Sequence, residues 1–175
     1  MSKPIIFYSL IGMGISAYSI YVKVQSEMDP KYEAMCDMNE KVSCTKVFNS
    51  EYGRGFGLIS KDSPLNISNG IFGLVHYLII AIMGNKKHYL KTVNIFQIIV
   101  LFLGFFDSMM LIKLQFGLVI LSNLMSVYLA YVLYFILQDF CLVCVATYIF
   151  NIVLLVFVWK KLAMLKEKES HIKVY

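Results

Sequence analysis

The chain has 175 residues, the length of one domain, with 59% hydrophobic residues, 15% charged residues, four cysteines and a formal net charge of +5. Soluble domains carry roughly 45–50% apolar and about 25% charged residues, so the composition excludes a disordered chain, a nucleic-acid-binding domain and a small disulfide-stapled secreted module. What it leaves is a small integral membrane protein, whose basic excess lies beside the apolar runs and so does not argue for an anionic ligand.

The first apolar run, 5–22, covers about 27 Å as a helix, just enough to cross a bilayer core. Ala17-Tyr18-Ser19 resembles a signal-peptidase site, but the basic start is only Lys3 and the run is long for a signal, so a retained span is expected. Residues 23–69 are polar, with seven acidic against six basic residues, a net charge of −1. A second run, 70–84, ends before Lys86, Lys87, His88 and Lys91, and the last run, 141–159, ends before Lys160, Lys161, Lys166 and Lys168. Positive charge marks the cytosolic side, which puts the C-terminus in the cytosol and the 23–69 loop in the lumen.

Residues 93–137 are almost continuously apolar, broken by Asp107 and Lys113. Two spans there would send the basic tail to the wrong side and separate Cys141 from Cys36 and Cys44. The expected third span is therefore 116–137, with 93–115 an atypical insert that lies at the interface, re-enters or extends a helix. In it Asp107 would need a partner such as Lys113. Val93-Asn94 can be encoded GTAAAT and Gln115 CAG, the boundary signals of an intron, which makes 93–115 a candidate unspliced segment. The expected fold is an all-α integral membrane domain, residues 1–165: a four-transmembrane-helix bundle with a lumenal cap loop, followed by a short, frayed cytosolic tail, 166–175.

The cysteines form two pairs: Cys36 and Cys44 in the cap, and Cys141-Leu142-Val143-Cys144 at the lumenal start of the last span. On this topology all four face an oxidising compartment. A cysteine at a helix N-terminus has a stabilised thiolate and is reactive near neutral pH. Cys141, Cys144 and Tyr148 share one helical face, a dithiol beside a phenol, and the cap pair can exchange with it through mixed disulfides. Two inert buried cysteines and a four-cysteine zinc site are the competing readings. Zinc is disfavoured where the C-x-x-C opens a membrane helix, and no metal is expected.

Several motifs then occur in order: Cys36-Asp37, Ser43-Cys44, Tyr52-Gly53-Arg54-Gly55-Phe56-Gly57-Leu58, Leu65-Asn66-Ile67-Ser68-Asn69-Gly70-Ile71-Phe72-Gly73, Ser126-Val127-Tyr128-Leu129-Ala130, and Asp139-Phe140-Cys141 through Tyr148. Together they resemble the vitamin K epoxide reductase family of the animal type, main enzyme or paralogue, over residues 4–160 apart from the insert. The resemblance implies an enzyme of the endoplasmic reticulum membrane that reduces vitamin K 2,3-epoxide to the quinone and then the hydroquinone, with no bound cofactor. It implies Cys144 as the attacking thiolate, Cys141 as its resolving partner in exchange with Cys44, and Cys36 as the acceptor from an external dithiol donor, a thioredoxin-like lumenal oxidoreductase. It implies Asn69 and Tyr148 as hydrogen-bond donors to the naphthoquinone oxygens, with Phe48, Tyr52 and Phe72 around them. Tyr52 stands where the family has tryptophan.

Other features carry simpler readings. Asn69 before Gly70 also reads as a turn or helix cap. Arg54-Gly55-Phe56-Gly57 lacks P-loop spacing and reads as a tight turn seating the cap. His76, mid-span without a second ligand at i+3 or i+4, reads as a core or pocket histidine. Tyr128, Tyr131, Tyr134 and Phe135 read as bundle packing. Two other functions fit the same cysteines: a quinone-linked disulfide-forming oxidase, and a non-enzymatic four-span scaffold with one loop disulfide, which has no use for the C-x-x-C.

Overall fold

The computed structural model describes residues 2–29, 31–84 and 108–173. Helix α1 is Ser2–Met28, α2 is the short Cys44–Asn49, α3 is Asn69–Gly84, α4 is Ser108–Tyr131 and α5 is Leu142–Lys173. Long apolar runs become helices in lipid because only a helix satisfies every backbone N–H and C=O within the segment. Pro4 falls in the first turn of α1, where its missing N–H needs no partner. A π-helical stretch, Val132–Leu137, continues α4 and stops at Gln138, which is left-handed with φ 53°. The described residues contain no strand, only three isolated bridges.

Among the described residues, three helices are long and apolar enough to cross a membrane: Lys3–Met28, Met110–Leu137 and Leu142–Glu167. The run expected as the fourth span, 70–84, is helix α3, whose 16 residues are fewer than the roughly 20 of a full crossing. Two helices outrun the hydropathy boundaries. Helix α4 includes 108–115 of the expected insert, while 93–107, including Asp107, lies outside the described residues. Ile112 is buried in the core, and the buried Gln115 donates from Nε2 to the Ile80 carbonyl at 3.3 Å. Helix α5 continues into the tail expected to fray as far as Lys173, and just before that tail Leu162 is buried and Leu165 packs against the same core.

Helix α1 packs chiefly on α3 and α4 chiefly on α5, while α1 also crosses α5. The α1–α3 seam is made of small residues. A Cβ on Gly12 would lie 2.5 Å from the Tyr77 ring, one on Gly70 would lie 2.3 Å from Ser19 Oγ, and one on Gly73 would lie 2.7 Å from Ser16 Oγ. Such absences let two helix backbones approach in a medium that offers no hydrophobic drive between them. The α4–α5 seam is polar: Asn151 Nδ2 donates to Ser126 Oγ at 2.8 Å, and Asn123 Nδ2 donates to the carbonyls of Val119 at 2.8 Å and Asn151 at 3.1 Å. Tyr77 Oη joins α3 to this network by donating to Asn151 Oδ1 at 2.8 Å.

The outer surface of the helices is apolar, with Phe7, Leu10, Leu121, Leu124, Ile149 and Ile152 exposed, as expected for side chains that face lipid. The aromatic cluster at the end of α4 needs correction. Tyr131, Tyr134 and Phe135 point outward and pack on one another, not into the bundle. They sit next to the cap, where amphipathic rings favour the membrane interface.

Candidate active site

The cap holds its cysteines through short-range hydrogen bonds. Ser43 caps α2, its side chain accepting from the Lys46 N–H at 3.2 Å, so that Cys44 is the first helical residue. Cys36 and Cys44 are joined by a disulfide with Cα atoms 5.8 Å apart. Asp37 clasps this loop: its carboxylate accepts from the Ala34 N–H at 2.8 Å, the Thr45 N–H at 3.1 Å and the Thr45 hydroxyl at 2.5 Å. Partial burial works against the charged form, but these donors outweigh it and hold the Asp37 carboxyl below its ordinary pKa.

The second pair is beside the first. Cys141 immediately precedes α5, and a disulfide joins it to Cys144, with Cα atoms 5.3 Å apart. The Cys141 sulfur also accepts from the Cys144 N–H at 3.2 Å. The Ser43 N–H donates to the Phe140 carbonyl at 3.1 Å, and the Phe140 N–H donates to the Lys41 carbonyl at 2.7 Å. Each couple thus has a member next to a residue of this backbone pairing. Cys44 and Cys141 are both 0% exposed and share one apolar cluster with Cys36, Val22, Val47 and Leu133. At the outer edge Cys36 is 8% exposed between Met35, 92% exposed, and Met38. The Tyr18 hydroxyl of α1 lies 4.0 Å from Cys36 Sγ, a neighbour that no sequence motif indicated.

Beneath the couples is a cavity of about 440 Å³. Cys144 is the one cysteine in its wall; Asn69, Tyr148, Phe48, Tyr52 and Phe72 all line it as well. Residues drawn from three separate parts of the sequence thus meet at one site. His76, read as a core or pocket histidine, lines the cavity too; sequence reasoning missed Phe56, whose ring packs on Phe72 at 5.2 Å, and the wall residues Tyr77, Ser126 and Asn151.

Asn69 is not the helix cap. Ser68 does that, with its hydroxyl accepting from the Gly70 N–H at 3.3 Å. The Asn69 carboxamide instead holds the cap turn: Oδ1 accepts from the Phe56 N–H at 2.9 Å and Nδ2 donates to the Tyr52 carbonyl at 2.6 Å. A carboxamide NH₂ has two hydrogens, so one donor is left for the cavity. The turn it holds is left-handed at three successive residues, with φ of 52° at Gly55, 57° at Phe56 and 70° at Gly57. A Cβ on Gly57 would lie 2.4 Å from the Tyr52 ring, so glycine lets that ring lie flat on the turn.

The cap is tied to α1 by charge. Lys23, buried, donates to Asn49 Oδ1 at 3.1 Å and lies 3.4 Å from Glu27, which also pairs with Arg54. The Arg54-Gly55-Phe56-Gly57 run therefore seats the cap both through its backbone and through its arginine.

Comparison with known proteins gives the same answer as the geometry. The chain is 35% identical to vitamin K epoxide reductase complex subunit 1 of Mus musculus over 164 residues, covering 91% of this chain and 89% of the relative. It is 36% identical to the protein of the same name from Rattus norvegicus over 168 residues, with the same coverage. The family model for the vitamin K epoxide reductase family matches residues 3–159. With its paired cysteines at one end of an apolar bundle, the chain belongs to the vitamin K epoxide reductase family and is a membrane oxidoreductase.

Proposed function

We propose that the protein reduces vitamin K 2,3-epoxide to the quinone, and the quinone to the hydroquinone, at the cavity beneath Cys144. The observation that carries this reading is that Cys144 alone among the four cysteines lines the cavity, while its partner Cys141 is buried against the cap couple. In the reduced enzyme the Cys144 thiolate attacks an epoxide carbon, the C–O bond breaks, and the alkoxide takes a proton. Cys141 then attacks the Cys144 sulfur, the carbon–sulfur bond breaks, and hydroxide leaves from the neighbouring carbon and is protonated. One epoxide and two thiols give one quinone, one water and one disulfide. Reduction of the quinone consumes a second pair of thiols, whose two electrons and two protons go to its oxygens and leave a disulfide. The spare Asn69 N–H and the Tyr148 hydroxyl are suited to the oxygen that gains negative charge; in a dry site such donors lower the barrier by about 3 kcal/mol. The apolar wall suits an isoprenoid naphthoquinone.

Regeneration runs outward. Cys44 attacks the Cys141–Cys144 disulfide, Cys36 resolves the mixed disulfide, and an external dithiol reduces Cys36–Cys44. The donor is a thioredoxin-fold lumenal oxidoreductase, for which the exposed Met35 and Met38 beside Cys36 provide an adaptable apolar contact. The cysteine end faces the lumen of the endoplasmic reticulum and the lysine-rich end of α5 the cytosol, with α3 as the fourth span.

The test is purified full-length protein in detergent with vitamin K epoxide and a small dithiol. Quinone and hydroquinone form, Cys144→Ala lowers the rate at least about a thousandfold, and Cys36→Ala keeps activity with the small dithiol but loses it with a protein donor. If the epoxide is untouched while a client dithiol is oxidised at the expense of quinone, the protein is a disulfide-forming oxidase. If Cys141→Ala/Cys144→Ala leaves cellular function intact, it is a scaffold.

A further inference from the structure

We propose that the reduced cap couple is a binding site for a thiophilic divalent cation, Zn²⁺, held by the Cys36 and Cys44 thiolates and the Asp37 carboxylate. Among the described residues, these three form the one group of His, Cys, Asp or Glu side chains placed to share an ion: their ligand atoms lie within 4.8 Å of one another. Tetrahedral zinc with Zn–S bonds of about 2.3 Å sets two sulfurs about 3.8 Å apart. Side-chain rotation reaches that separation from Cα atoms 5.8 Å apart. Thiolate and carboxylate are both ordinary zinc ligands.

Reducing the disulfide leaves this arrangement in place, because the turn between the cysteines has its own bonds. The Met38 N–H donates to the Val42 carbonyl at 2.8 Å, and Asn39 Oδ1 accepts from the Lys41 N–H at 3.0 Å and the Val42 N–H at 2.9 Å. The two thiols therefore stay side by side. Asp37 is oriented by the Ala34 and Thr45 N–H groups, the kind of outer support that metal-binding carboxylates have. The ion enters from outside: Asp37 is partly exposed, and Cys36 lies at the outer edge of the cap, where a dithiol donor must also approach. Water takes the fourth position. The zinc site weighed from the sequence needed all four cysteines; this one needs neither Cys141 nor Cys144 and adds Asp37. Its consequence for turnover rests on the proposed relay. Each thiol gives up its proton to form a zinc-bound thiolate, and Cys44 is then not free to attack the Cys141–Cys144 disulfide.

The test uses full-length Cys141→Ala/Cys144→Ala in detergent, reduced with a phosphine that is then removed, so that the cap couple supplies its only thiols. Cd²⁺, followed by thiolate-to-metal charge-transfer absorbance, and Zn²⁺, titrated against a colorimetric indicator, are each expected to bind at one ion per chain, and not after reoxidation. Cys36→Ala in this background abolishes binding. Asp37→Asn weakens it at least about tenfold, whereas Thr45→Val, which loosens the same clasp but keeps the carboxylate, weakens it less. If the double variant does not fold, reduced wild type is compared with Cys36→Ala, which binds one ion fewer. No binding to the reduced couple, or equal losses in Asp37→Asn and Thr45→Val, overturns the three-ligand site. Prereduced wild type without donor holds two dithiols and is expected to convert about two equivalents of vitamin K epoxide to quinone, but about one when a single Zn²⁺ is bound. Two equivalents with zinc bound overturn the blocking role. No product even without zinc overturns the reductase reading and leaves the site standing.

Discussion

Between Gly12 and Gly73, α1 and α3 touch where side chains are missing, so close that an added Cβ would fall inside its neighbours. The cap meets the bundle differently: Lys23 and Ser26 converge on Asn49, Glu27 takes both Lys23 and Arg54, and Asn69 ties down the 52–56 turn. One boundary is fixed by volume and the other by polar partners. The first should resist changes of pH and fail when an atom is added; the second should tolerate volume and fail when a charge or donor is removed.

The largest expected effect is at the α1–α3 seam. Gly12→Val drives two methyl groups against the Tyr77 ring, which cannot swing aside because it is buried and bonded to Asn151. We expect a loss of about 3 kcal/mol, read as a fall in the thermal unfolding midpoint in detergent; an unchanged midpoint would show that the seam can open. Asp37→Asn comes next. It keeps the size of the side chain but removes its charge and replaces one accepting oxygen by an NH₂ that faces the Ala34 or Thr45 N–H, at a cost of about 2 kcal/mol, in the range for bonds to a charged group that solvent partly screens. The loss should appear as faster proteolysis within 31–48 at an unchanged bundle midpoint.

Acid should act on the same clasp. The folded Asp37 pKa is depressed, so its contribution is complete above the unfolded carboxylate value of about 3.9 and fades as pH falls toward the folded value. Cap protection is then level from pH 8 to 5 and declines below about 4, with the bundle unaffected over the same range; a parallel decline in both would erase the contrast. The smallest effect is at Glu51. Its pairing with Lys61 lowers its pKa and raises that of Lys61, but both side chains are exposed to solvent. Glu51→Gln should leave cap proteolysis unchanged.

Much of this molecule can be read from its sequence, because lipid makes hydropathy and lysine placement strong signals. The apolar runs were legible that way, while the meeting of Cys144, Asn69 and Tyr148 at one cavity was implied by the resemblance of the motifs to a known family and not by hydropathy. What escaped depends on partners distant in the chain. Nothing near Tyr77 indicates that its hydroxyl meets Asn151, 74 residues away. Asn69 and Ser68 are both good caps by residue type, and only the three-dimensional path of the 52–56 turn decides which side chain is free for it. That 108–115 belongs to α4 was hidden because 93–137 is apolar almost throughout, leaving no periodic contrast to separate that segment from the span. Tyr131, Tyr134 and Phe135 were assigned inward because composition cannot tell a ring that faces a helix from one at the headgroup level.

If Asn69 binds the quinone as proposed, the double duty of its carboxamide links substrate capture to the fit of the turn above it. A ligand that takes its remaining hydrogen meets a donor already oriented by Phe56 and Tyr52, and it loses that preorganised donor whenever the turn lifts. Occupancy and closure must then favour each other by the same factor, whichever is varied. A bound quinone should slow hydrogen exchange at the Phe56 amide, and a variant that loosens the turn should release quinone faster with every cysteine in place.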